Sequence, residues 1–155
     1  SAPGAGQLVM APLEVTHQSF ISEKEVVQVF GKVAGPAADL FVNSWPFYQG
    51  AYCSRCDDCC EGAPLHDAHP ITYLLEPSMY TKMEVMRVRI LVSEPGDPVH
   101  GMSLVDRRLG AKARREKTPI QAGECDALVL LEVDRTRFVE VLMDAAKVLR
   151  ATTES

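Results

Sequence analysis

The sequence predicts a mainly β domain of the α+β class closed by one C-terminal helix, and three observations carry that expectation. From Met83 to Val92 apolar residues recur at every second position, with Met86, Val88, Ile90 and Val92 on one face and Arg87 and Arg89 on the other, the period of a half-buried strand. Glu94-Pro95-Gly96-Asp97-Pro98 then supplies turn chemistry, so Val99 to Val105 is expected to return as an antiparallel partner. From Thr136 to Arg150 the period changes: Phe138, Val141, Leu142, Ala145, Val148 and Leu149 form one helical stripe, with Asp134 or Thr136 as its cap.

The other elements follow in order. Residues 1–7 are small and glycine-bearing and read as a flexible lead, leaving residues 8–155 as one domain. Leu8 to Val15, interrupted by Pro12, suits an edge strand or irregular arm. Ser22-Glu23-Lys24-Glu25 has the spacing of a capping box, but Val26, Val27, Val29 and Val33 are β-branched, so a strand running into Gly31 to Gly35 is expected instead of a helix. Phe41, Trp45, Phe47, Tyr48 and Tyr52 then lead into a cysteine cluster; they read as aromatics packed around a metal knuckle at about residues 50–70, or as platforms on which bases stack. Ala127 to Val133 reads as a buried strand.

Composition narrows the classes. A chain of 155 residues with 46% hydrophobic content can bury one core. No apolar run approaches the length of a membrane span, and no leader-like segment opens the chain, which argues against a membrane or secreted protein. Four of the five cysteines fall between Cys53 and Cys60, a distribution that suits a local metal site in a reducing compartment, nuclear or cytoplasmic, better than a disulfide framework. The net charge of −5 is unevenly spread: residues 107–117 hold 6 cations against 1 anion, in an otherwise acidic chain.

Cys53-Ser54-Arg55-Cys56 has the gap that lets two thiolates reach one tetrahedral ion, and zinc is the metal that pattern favours. Its remaining ligands are sought among Cys59, Cys60, His66 and His69, the last two again separated by two residues. Cys53, Cys56 and Cys59 with distant Cys125 could instead hold an iron–sulfur cluster, and CxxC could serve thiol redox chemistry, although Asp57, Asp58 and Glu61 would raise a thiol pKa. Ser103 with Lys147 is a third, hydrolytic arrangement, without a nucleophile-elbow pattern around it.

In the order of its features, an opening strand at Phe30 to Gly35, a CxxC at Cys53 and Cys56, a long strand from Tyr80 to Val92 and a terminal helix, the chain resembles the zinc-containing OB domains of the replication protein A large subunit, protection-of-telomeres and shieldin families. That resemblance implies an OB-like barrel with a zinc-binding insertion. It also implies a non-enzymatic role, binding single-stranded DNA or a protein partner in genome maintenance. Arg87, Arg89, Arg107, Arg108, Lys112, Arg114, Arg115 and Lys117 would then form the basic groove, with salt-dependent affinity.

Overall fold

A computed structural model of the chain describes residues 8–33, 35–54, 61–105, 120 and 124–153, with side chains described as far as residue 148. Its centre is an open, mixed sheet. Strand β1 (Leu8–Met10) leads to the short helix α1 (Leu13–Thr16), strand β2 (Phe20–Ile21), helix α2 (Glu23–Phe30) and the long helix α3 (Pro36–Cys53). Strand β3 (Ala63–Pro64), helix α4 (Ala68–Leu75), a 3-10 turn at Pro77–Met79, strands β4 (Lys82–Ile90), β5 (Ser103–Val105) and β6 (Glu124–Glu132), and helix α5 (Arg135–Thr153) complete the described elements. The main sheet runs β1-β6-β4-β5; β1 lies parallel to β6 with Leu8 opposite Ala127, whereas β4 is antiparallel to both its neighbours. Strands β2 and β3 form a separate two-stranded ribbon.

The alternation along β6 divides the molecule into two packed faces. On one side Leu128 and Leu130 meet the helices, in a core that includes Trp45, Tyr73, Tyr80 and Phe138. On the other, Ala127 and Val129 join Met86, Val88 and Met10, and Cys125 packs with them. Beside that second face, β1 and the β4–β5 hairpin enclose a hollow of about 890 Å³.

An OB-like barrel is therefore not what the described residues form: their sheet has a parallel pair and does not close. The expected β4–β5 hairpin, the strand at β6 and the final helix are present, and Asp134 accepts from the Arg137 amide at 3.1 Å as the cap of α5. What differs is the first half.

Residues 23–30 are helical because the capping box forms in full. The Ser22 amide donates to Glu25 at 2.8 Å and the Glu25 amide to Ser22 Oγ at 3.3 Å, satisfying donors that a helix start would otherwise leave orphaned. Val26 and Val29, three residues apart, then turn into the core on one helical face, so packing outweighs the β preference of valine. Arg135 reinforces this start, pairing with Glu25 at 2.6 Å from the beginning of α5.

The aromatic stretch is also helical. Pro36 sits in the first turn of α3, where its missing N–H costs nothing. Phe41, Trp45, Tyr48 and Tyr52 follow at spacings of four, three and four, and neighbouring rings along this stripe lie 5.6–6.1 Å apart. The Tyr48 hydroxyl donates to the Pro64 carbonyl at 2.7 Å, which binds α3 to β3 and brings Tyr52, one turn further on, to the start of α4.

A candidate active site at the start of helix α4

Five consecutive residues, Val15 to Ser19, have five different partners. Val15 is in the core. Thr16 Oγ1 lies 2.8 Å from His66 Nδ1, His17 Nε2 is hydrogen-bonded to the Tyr52 hydroxyl, and Ser19 Oγ lies 2.8 Å from His69 Nε2. Gln18 fastens the segment to the end of β6, donating to the Leu131 carbonyl at 2.9 Å and accepting from the Val133 amide at 3.2 Å. The result is a comb: the hydroxyls of Thr16 and Ser19 mesh with the imidazoles of His66 and His69.

Gly62 lets the two backbones come this close. A Cβ there would stand 2.5 Å from the Ile21 carbonyl oxygen, so any side chain would push β3, and the histidines after it, away from β2.

The two histidines differ in setting. His69 is fully buried, stacked on Phe138 at a centroid distance of 4.5 Å, with its Nδ1 3.0 Å from the Tyr80 hydroxyl. Burial, helped by the nearby His66, pushes its pKa down to about 4, so it is neutral at pH 7. His66 is half-buried at the edge of an aromatic group: its ring centroid is 5.5 Å from His17 and 6.0 Å from Tyr52, and Phe20 lies 5.9 Å from Tyr52. Burial and His17 lower the His66 pKa, against the opposing pull of Asp67. Asp67 itself is exposed and precedes α4 without capping it through its side chain, so its carboxylate is not committed to the helix end.

The expected site residues fall in different places. Cys53 ends α3, whereas Cys56, Cys59 and Cys60 lie outside the described residues. His66 and His69 are close together, but both nitrogens of His69 are occupied by hydroxyls in this structure. Cys125 packs on the sheet face opposite the one that receives α3, which separates it from Cys53 and removes the geometric basis of a shared iron–sulfur cluster. Arg87 is buried and paired across the sheet with Asp126 at 3.1 Å, and Arg89 with Glu124 at 3.5 Å. Arg107, Arg108, Lys112, Arg114, Arg115 and Lys117 lie outside the described residues. Ser103 borders the hollow on the second face, while Lys147 is paired with Asp144 at 2.8 Å. Thr16, His17 and Asp67 are the site residues that sequence reasoning overlooked.

A mixed α/β fold thus brings an imidazole, an exposed carboxylate and an aromatic wall together just before helix α4. The same fold occurs in a purine-preferring ribonucleoside hydrolase from Gardnerella vaginalis, with a TM-score of 0.69 at 21% identity over 93% of this chain and 40% of that one. A plant nucleoside hydrolase gives 0.61 at 19% identity, over 86% and 39%. Among curated proteins, pyrimidine-specific ribonucleoside hydrolases from Klebsiella pneumoniae and Shewanella woodyi are 30% and 25% identical over 135 residues, 87% of this chain and 39% and 38% of theirs. The family model for inosine-uridine preferring nucleoside hydrolases matches residues 2–140, and the chain belongs to that family. It spans about two fifths of the length of these relatives.

Family membership overturns the OB resemblance and the roles drawn from it. The chain is not a non-enzymatic DNA-binding or genome-maintenance assembly module, nor an iron–sulfur or thiol redox protein; it comes from a family of enzymes acting on small molecules. Nucleoside hydrolases of this family typically use a metal ion, calcium. Calcium takes oxygen ligands, and the Asp67 carboxylate beside His66 has the right chemistry. Among the described residues there is no group of three or more His, Cys, Asp or Glu that could hold a metal. Also among the described residues, no helix is long and apolar enough to cross a membrane.

Proposed function

We propose that this chain carries one wall of a nucleoside hydrolase active site, with His66 as the proton carrier to the leaving base. The observation that carries the reading is the placement of His66 at the start of α4, held from behind by Thr16 and flanked by Tyr52, His17 and Asp67. Hydrolysis breaks the bond between the sugar C1′ and a base nitrogen. The water oxygen joins C1′, one of its protons ends on the base, and the leaving nitrogen must be protonated as the bond opens.

An imidazole with a lowered pKa suits that step, because its protonated form is the stronger donor. The rings of Tyr52, His17 and Phe20 offer apolar faces against which a flat base can rest. Asp67 would hold part of a hard, oxygen-liganded cation, calcium in preference to the zinc expected from the cysteines. Such a cation, when bound, favours ionisation of water as the nucleophile. The intracellular compartment expected from the sequence suits an enzyme of this kind.

The test is release of free base from inosine and uridine, with added calcium. His66→Asn is expected to lower kcat by roughly a hundredfold or more while nucleoside still binds. Release at the parental rate in His66→Asn, or no nucleoside binding and no release by the parent protein, would sink the reading.

A further inference from the structure

The comb between residues 16–19 and 66–69 says more about His66 than its position. Thr16 Oγ1 has two close neighbours, the Leu13 carbonyl oxygen at 3.2 Å and His66 Nδ1 at 2.8 Å. A hydroxyl has one proton. A carbonyl can only accept, whereas a ring nitrogen either donates or accepts according to tautomer. Both contacts are hydrogen bonds only if Thr16 donates to Leu13 and His66 Nδ1–H donates to Thr16. The reverse assignment leaves two oxygens facing each other with no proton between them.

We propose that Thr16 is a positioning residue that fixes the tautomer of His66, holding the proton on Nδ1 and leaving Nε2 bare toward the site. This deepens the nucleoside hydrolase reading and rests on it for its function. A bare Nε2 can take up a proton and pass it to a leaving base, while Nδ1–H keeps its bond to Thr16 in both states, so the ring need not turn between turnovers. Thr16 is suited to the task because it cannot swing away: it is 1% exposed, its hydroxyl is tied to its own helix, and Gln18 locks the segment to β6. His69, with a hydroxyl on each nitrogen, is the buried anchor that keeps the two rows in register.

The tautomer can be read without substrate or metal, by nitrogen-15 NMR of the imidazole rings in the labelled full chain at a pH where His66 is neutral. The parent protein is expected to show His66 with a protonated Nδ1 and a bare Nε2. Thr16→Val, nearly the same shape, removes the acceptor and should move the ring toward the Nε2–H form, while Thr16→Ser should restore the parental signals. The His69 signals report whether Thr16→Val has kept its fold, and Thr16→Ser tests the hydroxyl even if it has not. In the base-release assay, Thr16→Val should lower kcat on the order of tenfold to a hundredfold with KM little changed, and Thr16→Ser should recover it. An Nε2–H parent, or a Thr16→Val ring identical to the parent's, would overturn the proposal, as would a shifted tautomer with kcat untouched. A parent lacking base release but showing the Nδ1–H ring would count against the nucleoside reading and leave the tautomer assignment standing.

Discussion

His66 and His69 stand three residues apart, and each has a hydroxyl from the same short segment at 2.8 Å, yet one ring is sealed in the core and the other is only half-buried. The difference lies in the second nitrogen and in what covers the ring. His69 has Tyr80 on its other nitrogen and Phe138 flat against its face, so nothing remains to react. Among the described residues His66 is hydrogen-bonded through Nδ1 alone, and its ring borders Tyr52, His17 and Asp67. Ligand-like spacing is thus compatible with two different environments, and the proposed roles of the two rings follow that difference.

Four substitutions or conditions test how real that contrast is. His69→Ala should have the largest effect, because it removes a buried stacked ring and strands the hydroxyls of Ser19 and Tyr80; a loss of about 4 kcal/mol in urea unfolding is expected. Acid comes next. The native pKa of His69, about 4, lies below its unfolded value of 6.5, so between those pH values the unfolded chain binds the extra proton. Its contribution is present above pH 6.5 and lost as pH falls toward 4, roughly 3 kcal/mol in all. His69→Gln should flatten that part of the stability profile, and an unchanged slope in this variant would assign the acid sensitivity to other groups.

Gly62→Ala should cost about 2 kcal/mol through its clash with the Ile21 carbonyl, and should shift the Thr16 and His66 resonances together. A variant as stable as the parent, with both resonances unmoved, would show that the close approach is not needed. Smallest should be the effect of His66→Ala on stability, under about 1 kcal/mol, since that ring is half-exposed and held through one nitrogen. Equal losses for His66→Ala and His69→Ala would erase the distinction between the two ends of the motif.

The second half of the fold was readable from periodicity. Met86 and Val88 mark β4, Pro95 and Gly96 mark the bend, and Phe138, Val141 and Leu142 mark α5, because each signal is local and the structure leaves it unopposed. The first half was misread for identifiable reasons. The valines of α2 favour a strand as single residues, but a complete capping box and an inward-facing Val26 and Val29 decide for a helix. The spacing of Phe41, Trp45, Tyr48 and Tyr52 was a helical signal, obscured by the cysteines that follow. His66 and His69 were identified as a pair from their ligand-like spacing, and the structure sets both against the segment of residues 16–19. Their partners lie 50 residues earlier, beyond the reach of any local rule. Asp67 gave no signal at all, since a single exposed aspartate is ordinary in a loop.

The parallel pairing of Leu8 with Ala127 also has a consequence in time. Most of the described chain lies between these strands, and closing so long a loop is entropically unfavourable until β4 and β6 have assembled. Strand β1 is therefore expected to dock late, and because it is three residues long and at the sheet edge, to be among the first segments to exchange its amide protons. The segment bearing Thr16 follows it directly, so the last contacts to form include those that set His66 in place. Folding and the gain of a competent site would then finish in the same step.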